Sequence, residues 1–288
     1  MAKLLLGKAV NEAINHRVSQ KVDFLKRQGI APRLAIVRCG DNPSDVAYEK
    51  GAVKKAGVVG IETQRIVLPE SISKADLISQ LHSLNQDESV DGVLLLRPLP
   101  KHLRADEGEI VNALDYRKDV DCMTDLSNAG VYLGKEIGFP PCTPSAVMEI
   151  LDYYGIDVKG KNITVIGRSL VVGKPVAMML MARHATVTIC HTRTVDVAAI
   201  ARRADIIVSA AGALGSLGAD FVREGQIIID VSVNWDPGKR DGQGGMAGDA
   251  VFEEIEPIVE AITPVPGGVG AVTTSVLMEH VVKAAEGK

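Results

Sequence analysis

The sequence predicts an α/β protein of two domains, each built on a parallel sheet. Two observations carry this: short β-rich runs alternate twice with stretches of helical periodicity, and a tract dense in Pro and Gly, from Tyr132 to Pro144, separates the two series. The chain of 288 residues also has the length of about two ordinary domains of ~150.

In chain order, Val10, Ile14, Val18, Val22 and Leu25 lay one apolar stripe on an opening helix that ends near Gly29. Strands are expected at Leu34 to Val37, Ile61 to Leu68 and Val93 to Leu96, with helices from Ser44 to Ala56 and Lys74 to Leu84 between them. After the Pro/Gly tract come a helix (Ser145 to Tyr154), a strand (Ile163 to Ile166), a helix (Gly173 to Arg183) and a strand (Val187 to Cys190). A helix from Val195 to Ala201 and strands at Ile206 to Ser209 and Ile227 to Val231 complete what reads as a doubly wound, Rossmann-like nucleotide-binding unit. The last helix, Val272 to Ala285, follows a Pro/Gly-rich loop, Thr263 to Gly270, and is expected to return to the first domain. The run Asp241 to Gly245 reads as a surface loop. The expected division is 1–143 with 272–288 against 144–271.

Composition narrows the functions. With 32 Lys and Arg against 36 Asp and Glu, the net charge of -4 supplies no field for gripping nucleic acid. Cys39, Cys122, Cys142 and Cys190 have no zinc spacing, and the six histidines show no ligand pattern, so no metal site is expected. The N-terminal apolar run, Leu4 to Leu6, is too short for a signal peptide or a membrane span, which points to a cytoplasmic protein without membrane contact.

Two regions carry candidate chemistry. Gly167-Arg168-Ser169, with Gly173 and Pro175, follows a strand and opens a helix, where glycine allows a tight turn and helix-terminal N–H groups face a phosphate. A serine-nucleophile elbow would need glycine at position 171, which is Val171. At the end of the next strand, Thr192 and Arg193 stand where a dinucleotide fold meets the adenosine ribose, and no carboxylate occurs until Asp196; this points to NADP, with NAD still open. The first half offers Asp41-Asn42-Pro43-Ser44 leading to Tyr48, and Lys118-Asp119-Val120-Asp121, which alone read as a capped helix and a charged loop.

Together with Pro98-Leu99-Pro100, Pro141-Cys142-Thr143-Pro144, Asp230-Val231 and the loop Thr263 to Gly270, these landmarks resemble the bifunctional methylenetetrahydrofolate dehydrogenase/methenyltetrahydrofolate cyclohydrolase family, from about Leu6 to the last helix. The resemblance implies tetrahydrofolate derivatives as substrates, NADP as cofactor and a homodimer formed through the nucleotide domains. It further implies that Asp121 anchors the pterin, that Tyr48 contacts the folate near its reacting carbon, and that Pro266, Gly267 and Gly268 line the folate pocket. Gly167, Arg168, Ser169, Thr192 and Val233 would take the cofactor.

The family's hydrolytic step depends on a lysine four residues after the tyrosine and on a glutamine just before the Pro-Leu-Pro turn; these positions hold Ala52 and Leu96. A methyl group cannot do the proton transfer that a desolvated lysine can. Lys55 lies near the same helix face but about 10 Å from Tyr48 along the axis, and otherwise reads with Lys50 and Lys54 as a solvated face. The leading expectation is therefore an NADP-dependent methylenetetrahydrofolate dehydrogenase with weak or absent cyclohydrolase activity. The alternatives are the fully bifunctional enzyme and a non-catalytic NADP-sensing module.

Overall fold

The computed structural model describes residues 1–239 and 243–287, and within it the chain forms two compact units. One comprises Ala13–Cys142 and Thr274–Lys288, the other Met1–Glu12 and Thr143–Thr273. Asp241 and Gly242, part of the expected surface loop, lie outside the described residues.

In the first unit, strands β2 (Arg33–Cys39), β3 (Glu62–Leu68) and β4 (Gly92–Leu95) form a parallel sheet ordered β3-β2-β4. Helix α2 (Pro43–Val59) links β2 to β3, and α3 (Lys74–Gln86) crosses back to β4. Parallel strands need such crossovers, and both sheet faces are then covered, which is why β4 reads as an unbroken apolar run. Ala35, Val37, Leu77, Leu81, Val93, Leu95 and Ile110 form part of the core. The expected stripe on α1 (Gly7–Arg27) is buried throughout, Val10 to Leu25 being at most 3% exposed. Helix α10 (Thr273–Glu286) lies in this unit from Thr274 onward: Glu279 receives Nε and Nη2 of Arg17 at 2.9 and 2.7 Å, and Ser275 bonds Asn15 at 2.9 Å. Three short helices escape the sequence pattern: a 3-10 turn at Lys101–Asp106, α4 (Glu107–Asn112) and α5 (Asp125–Leu133).

The second unit holds a six-stranded parallel sheet ordered β1-β11-β8-β7-β5-β6. Its strands are β1 (Lys3–Leu4), β5 (Asn162–Ile166), β6 (Thr186–Cys190), β7 (Ile206–Ser209), β8 (Ile227–Asp230) and β11 (Ala261–Ile262). Helices α6 (Cys142–Tyr153), α7 (Gly173–Ala182), α8 (Val197–Ala201) and α9 (Phe252–Ile255) accompany it, with a β9 (Asn234–Asp236) and β10 (Gly245–Ala247) hairpin. The chain leaves β5 toward β6 and returns past it to β7, so strand order reverses between β5 and β7, the crevice where doubly wound folds bind ligands.

The first twelve residues, expected with the first domain, belong to this second unit. Lys3 and Leu4 pair with Ala261 and Ile262, Leu5 N–H donates to Ile262 O at 2.9 Å and Gly7 N–H to Gly267 O at 2.8 Å. A two-residue strand has no periodicity to read, and its partner lies at the far end of the sequence.

Candidate active site

The strand-to-helix signature Gly40-Asp41-Asn42-Pro43 acquires a physical account in the first unit. Gly40 leaves β2 at φ +80°, a left-handed conformation that suits glycine. Asn42 caps α2 by accepting from Ser44 N–H at 3.0 Å, and Pro43 occupies the first turn, where its missing N–H costs nothing. The next residue after Tyr48, Glu49, is 1% exposed and accepts from both Arg38 Nε and Arg65 Nε, while Arg38 also holds Asp41 and the Gly40 carbonyl. This charge network, buried at Arg38 and Glu49, fixes the rotation of α2 and leaves Tyr48 partly open to solvent. Packing around the Tyr48 phenol raises its pKa, and the charges of Asp121 and Cys142 add to the effect.

Asp121 stands on a loop whose shape is dictated by its neighbour. Asp119, fully buried, accepts from Met123 N–H at 2.9 Å, Thr124 N–H at 2.8 Å and the Thr124 hydroxyl at 2.8 Å. Those bonds bend the chain through Cys122, a non-glycine residue at φ +58°, and turn Asp121 toward Cys142. Burial pushes the Asp121 carboxyl above its ordinary range, opposed by hydrogen bonds from Cys142 and by the charge of Arg97. Burial, then Asp121, keeps the Cys142 thiol protonated. Behind them His280 of α10 meets Val120 O at 2.9 Å and stacks on Phe139; burial lowers its pKa to about 4, so the ring is neutral and its Nδ1 donates.

Ala52 lies one turn beyond Tyr48 and is 1% exposed; Leu96, just past β4, is 7% exposed. Lys55 departs from the expected solvated face: it is half-buried, its Nζ reaches Asn15 Oδ1 of α1 at 3.4 Å, and burial lowers its pKa. Lys50 and Lys54 are exposed. Arg97 sits 3.5 Å from Glu107 while its charge acts on Asp121.

In the second unit, the pairing of Ile166 with Cys190 places the ends of β5 and β6 side by side, which brings the turn Gly167–Gly173 beside Thr192 and Arg193. Gly167, at φ +123°, presses against Ala210, and a Cβ on Gly173 would collide with the Gly167 backbone. Gly173 and Pro175 are buried and shape this turn, whereas Arg168, Ser169, Thr192, Arg193 and Val233 present side chains to solvent. The expected phosphate-facing N–H groups are otherwise engaged: those of Val172 and Gly173 donate to Ser169 Oγ and that of Lys174 to Ser169 O. The Arg168 and Arg193 guanidiniums and the Thr192 side chain stand exposed beside this turn. Asp196 caps α8 through Ala199 N–H at 3.0 Å, which commits the nearest carboxylate to the helix. A phosphorylated dinucleotide fits this donor set. Pro266, Gly267 and Gly268 belong to this unit, on the loop that receives Gly7 N–H.

Known proteins resemble the chain along nearly its whole length. Residues 5–121 match the catalytic domain of the tetrahydrofolate dehydrogenase/cyclohydrolase family, and residues 141–288 match that family's NAD(P)-binding domain. The chain belongs to this family. The bifunctional protein FolD of Alkaliphilus metalliredigens is 44% identical over 284 residues, which cover 99% of this chain and 98% of that one. Among solved structures, the bifunctional FolD of Campylobacter jejuni superposes with a TM-score of 0.94 at 40% identity, covering 100% of this chain and 99% of the other. The Trypanosoma brucei enzyme, complexed with NADP cofactor and an inhibitor, gives 0.91 at 32% identity, covering 99% and 97%.

Membership makes this an enzyme of folate one-carbon chemistry with an NAD(P)-binding domain. Several residues that shape the sites carried no individual signal in the sequence. Asp119 looked like one more charge in a loop and Glu49 like a helix-surface carboxylate, while the buried Asp249 finds its side-chain and backbone donors, from Ser209 to Asn234, 15–40 residues before it. No helix among the described residues is long and apolar enough to cross a membrane.

Proposed function

We propose that the protein oxidises 5,10-methylenetetrahydrofolate to the methenyl form with NADP, and hydrolyses that product to 10-formyltetrahydrofolate. What supports the oxidative half is the Tyr48–Asp121–Cys142 cluster of the first unit; the second unit, on its own, carries a turn rich in guanidinium and hydroxyl donors. NADP, when bound, supplies the hydride acceptor. Arg168, Ser169, Thr192 and Arg193 would hold its phosphates, with the adenosine end kept free of an unpaired carboxylate because Asp196 caps α8. The NADP complex of the Trypanosoma brucei enzyme supports NADP over NAD.

On the folate side, Asp121 accepts from the amino-pyrimidinone edge, and Tyr48 packs near the reacting carbon. The Pro266-Gly267-Gly268 loop approaches the flat ligand with little side-chain bulk. The protein's contribution to hydride transfer is alignment and exclusion of water, because the flanking folate nitrogens stabilise the positive charge left behind. A homodimer working in the cytoplasm belongs to the same reading.

The hydrolytic half draws its support from relatives named bifunctional at 40% and 44% identity, which favours it over the loss of cyclohydrolase expected from the sequence. A second reading, dehydrogenase with slow hydrolysis, has one specific observation in its favour: Ala52 and Leu96 are buried hydrocarbon where proton transfer would be served by an amine and an amide. One assay separates the two. Purified protein is given methylenetetrahydrofolate with NADP+ or NAD+, and reduced nucleotide and the methenyl chromophore are followed together. Reduced NADP without lasting methenyl absorbance supports the bifunctional reading; accumulating methenyl absorbance, relieved by Ala52→Lys with Leu96→Gln, supports the second; absence of nucleotide reduction refutes both.

A further inference from the structure

Asp249 receives an exceptional concentration of donors. Its carboxylate is fully buried and accepts from three successive backbone N–H groups, Ala211 at 2.8 Å, Gly212 at 3.3 Å and Ala213 at 2.8 Å. Ser209 Oγ at 2.9 Å, Ser232 Oγ at 2.7 Å and Asn234 Nδ2 at 3.2 Å complete the set. Successive N–H groups that converge through a residue at positive φ, here Gly212 at +65°, form a concavity that favours an anion. In this unit the anion is the chain's own.

The place of this nest matters more than its strength. Ala211–Ala213 follow β7 and Ser232–Asn234 follow β8, so the carboxylate ties together two loops at the C-terminal edge of the sheet. Ala210, where the first of them begins, abuts Gly167 at the end of β5, across the point where strand order reverses. Val233, one of the expected cofactor contacts, sits between two residues that both donate to Asp249.

We propose that Asp249 is a positioning residue for the dinucleotide: its carboxylate fills the nest, fixes the two loops that wall the β7–β8 side of the crevice, and leaves the β5–α7 turn as the seat for phosphate. The proposal rests on the reading of this unit as an NADP site and deepens it. The filled nest offers no donors to a second anion, so the cofactor's charged end is directed to Arg168 and Arg193 and its nicotinamide end to the loops that Asp249 shapes. An amide at this position keeps the volume but has a single acceptor oxygen and places an NH2 against donors, so Asp249→Asn should fail nearly as fully as Asp249→Ala.

The test uses the full-length enzyme and both variants. With charge-assisted hydrogen bonds removed from the loops, KM for NADP+ should rise about tenfold or more in each, while calorimetric affinity for tetrahydrofolate without nucleotide stays within about twofold of wild type. Formate, added as a replacement for the missing carboxylate, should recover NADP+ affinity in Asp249→Ala and not in Asp249→Asn. Without any nucleotide, formate should also raise the melting temperature of Asp249→Ala and not that of wild type, a readout of the nest that stands whether or not NADP is the cofactor. An unchanged KM for NADP+ in both variants, or an Asp249→Ala protein indifferent to formate in the melting assay, overturns the proposal. Wild-type protein without NADP+ turnover, with the formate effect on melting intact, instead refutes the NADP reading and leaves the filled nest standing. Should Asp249→Ala not fold, an unchanged KM in Asp249→Asn suffices to overturn the proposal.

Discussion

Replacing Asp119 by alanine tests whether the pterin anchor is only as good as the loop beneath it. The substitution strips acceptors from two backbone N–H groups and one hydroxyl, all in a fully buried setting. Each orphaned backbone donor costs ~1–3 kcal/mol, and the Thr124 hydroxyl can turn to Ser127, 3.0 Å away, so the total is about 2–6 kcal/mol. At about 2–4 °C per kcal/mol for domains of this size, the melting transition of the unit should fall by roughly 4–24 °C. Function should fail ahead of stability, because the bonds lost are those that bend Cys122 into its left-handed conformation and aim Asp121. The expected result is a fall in kcat/KM for methylenetetrahydrofolate of about 100-fold, with KM for NADP+ within about twofold. Trp235, the chain's single tryptophan, belongs to the other unit and serves as the internal control. Its fluorescence transition should not move. An Asp119→Ala enzyme with normal folate kinetics and an unshifted melting profile would refute this account of the loop.

Three further expectations concern separate features. Gly173→Ala drives a methyl into the Gly167 backbone and should raise KM for NADP+ about tenfold or more, with folate affinity by calorimetry unchanged. Glu49→Gln removes the buried carboxylate and leaves Arg38 only the exposed Asp41, which should cost ~3–5 kcal/mol in denaturant unfolding and lower turnover through the tilt of α2 at Tyr48. Two buried groups, one in each unit, should also respond to acid in opposite senses. His280 titrates at about 4 in the folded chain against an ordinary 6.5, so the unfolded chain binds the extra proton and this group's contribution to the first unit falls by about 3 kcal/mol as pH falls from 6.5 to 4, while Asp121, raised by burial, acts in the other direction. Asp230, raised by burial to about 6, binds a proton more tightly when folded, so the second unit gains about 3 kcal/mol as pH falls from 6 toward 4. Hydrogen exchange, corrected for its intrinsic pH dependence, resolves the two, and His280→Gln should abolish the first effect alone.

The parts of this protein that a reader of the sequence can see are those whose cause is local. The stripe on α1, the capped start of α2 and the apolar strands of both sheets follow from spacing and from single residues such as Asn42 and Pro43, and they appear within a few positions of where periodicity puts them. What stays hidden depends on partners far along the chain. β1 takes its strand conformation from β11, Lys55 leaves solvent because Asn15 is there to meet it, and Asp119 matters because Met123 and Thr124 fold back onto it. Tyr48 and Asp121 were singled out through family likeness; local residue chemistry made them a helix residue and a loop residue. The helix-terminal N–H groups of α7 show the reverse error: a sound local rule, defeated by a serine hydroxyl that reaches them first.

The pairing of β1 with β11 has a bearing on how the polypeptide emerges from the ribosome. Strand β1 is made more than 250 residues before Ala261 and Ile262 and must wait, unpaired, for them, and the first unit likewise waits for α10 and its grip on Arg17. Neither half can close early, so nascent chains spend most of translation with an open edge and an uncovered helix face, the state most in need of protection from self-association. Removing α10 would therefore be felt in the unit built mainly from Ala13–Cys142, although the sheet of the nucleotide unit would keep every one of its strands.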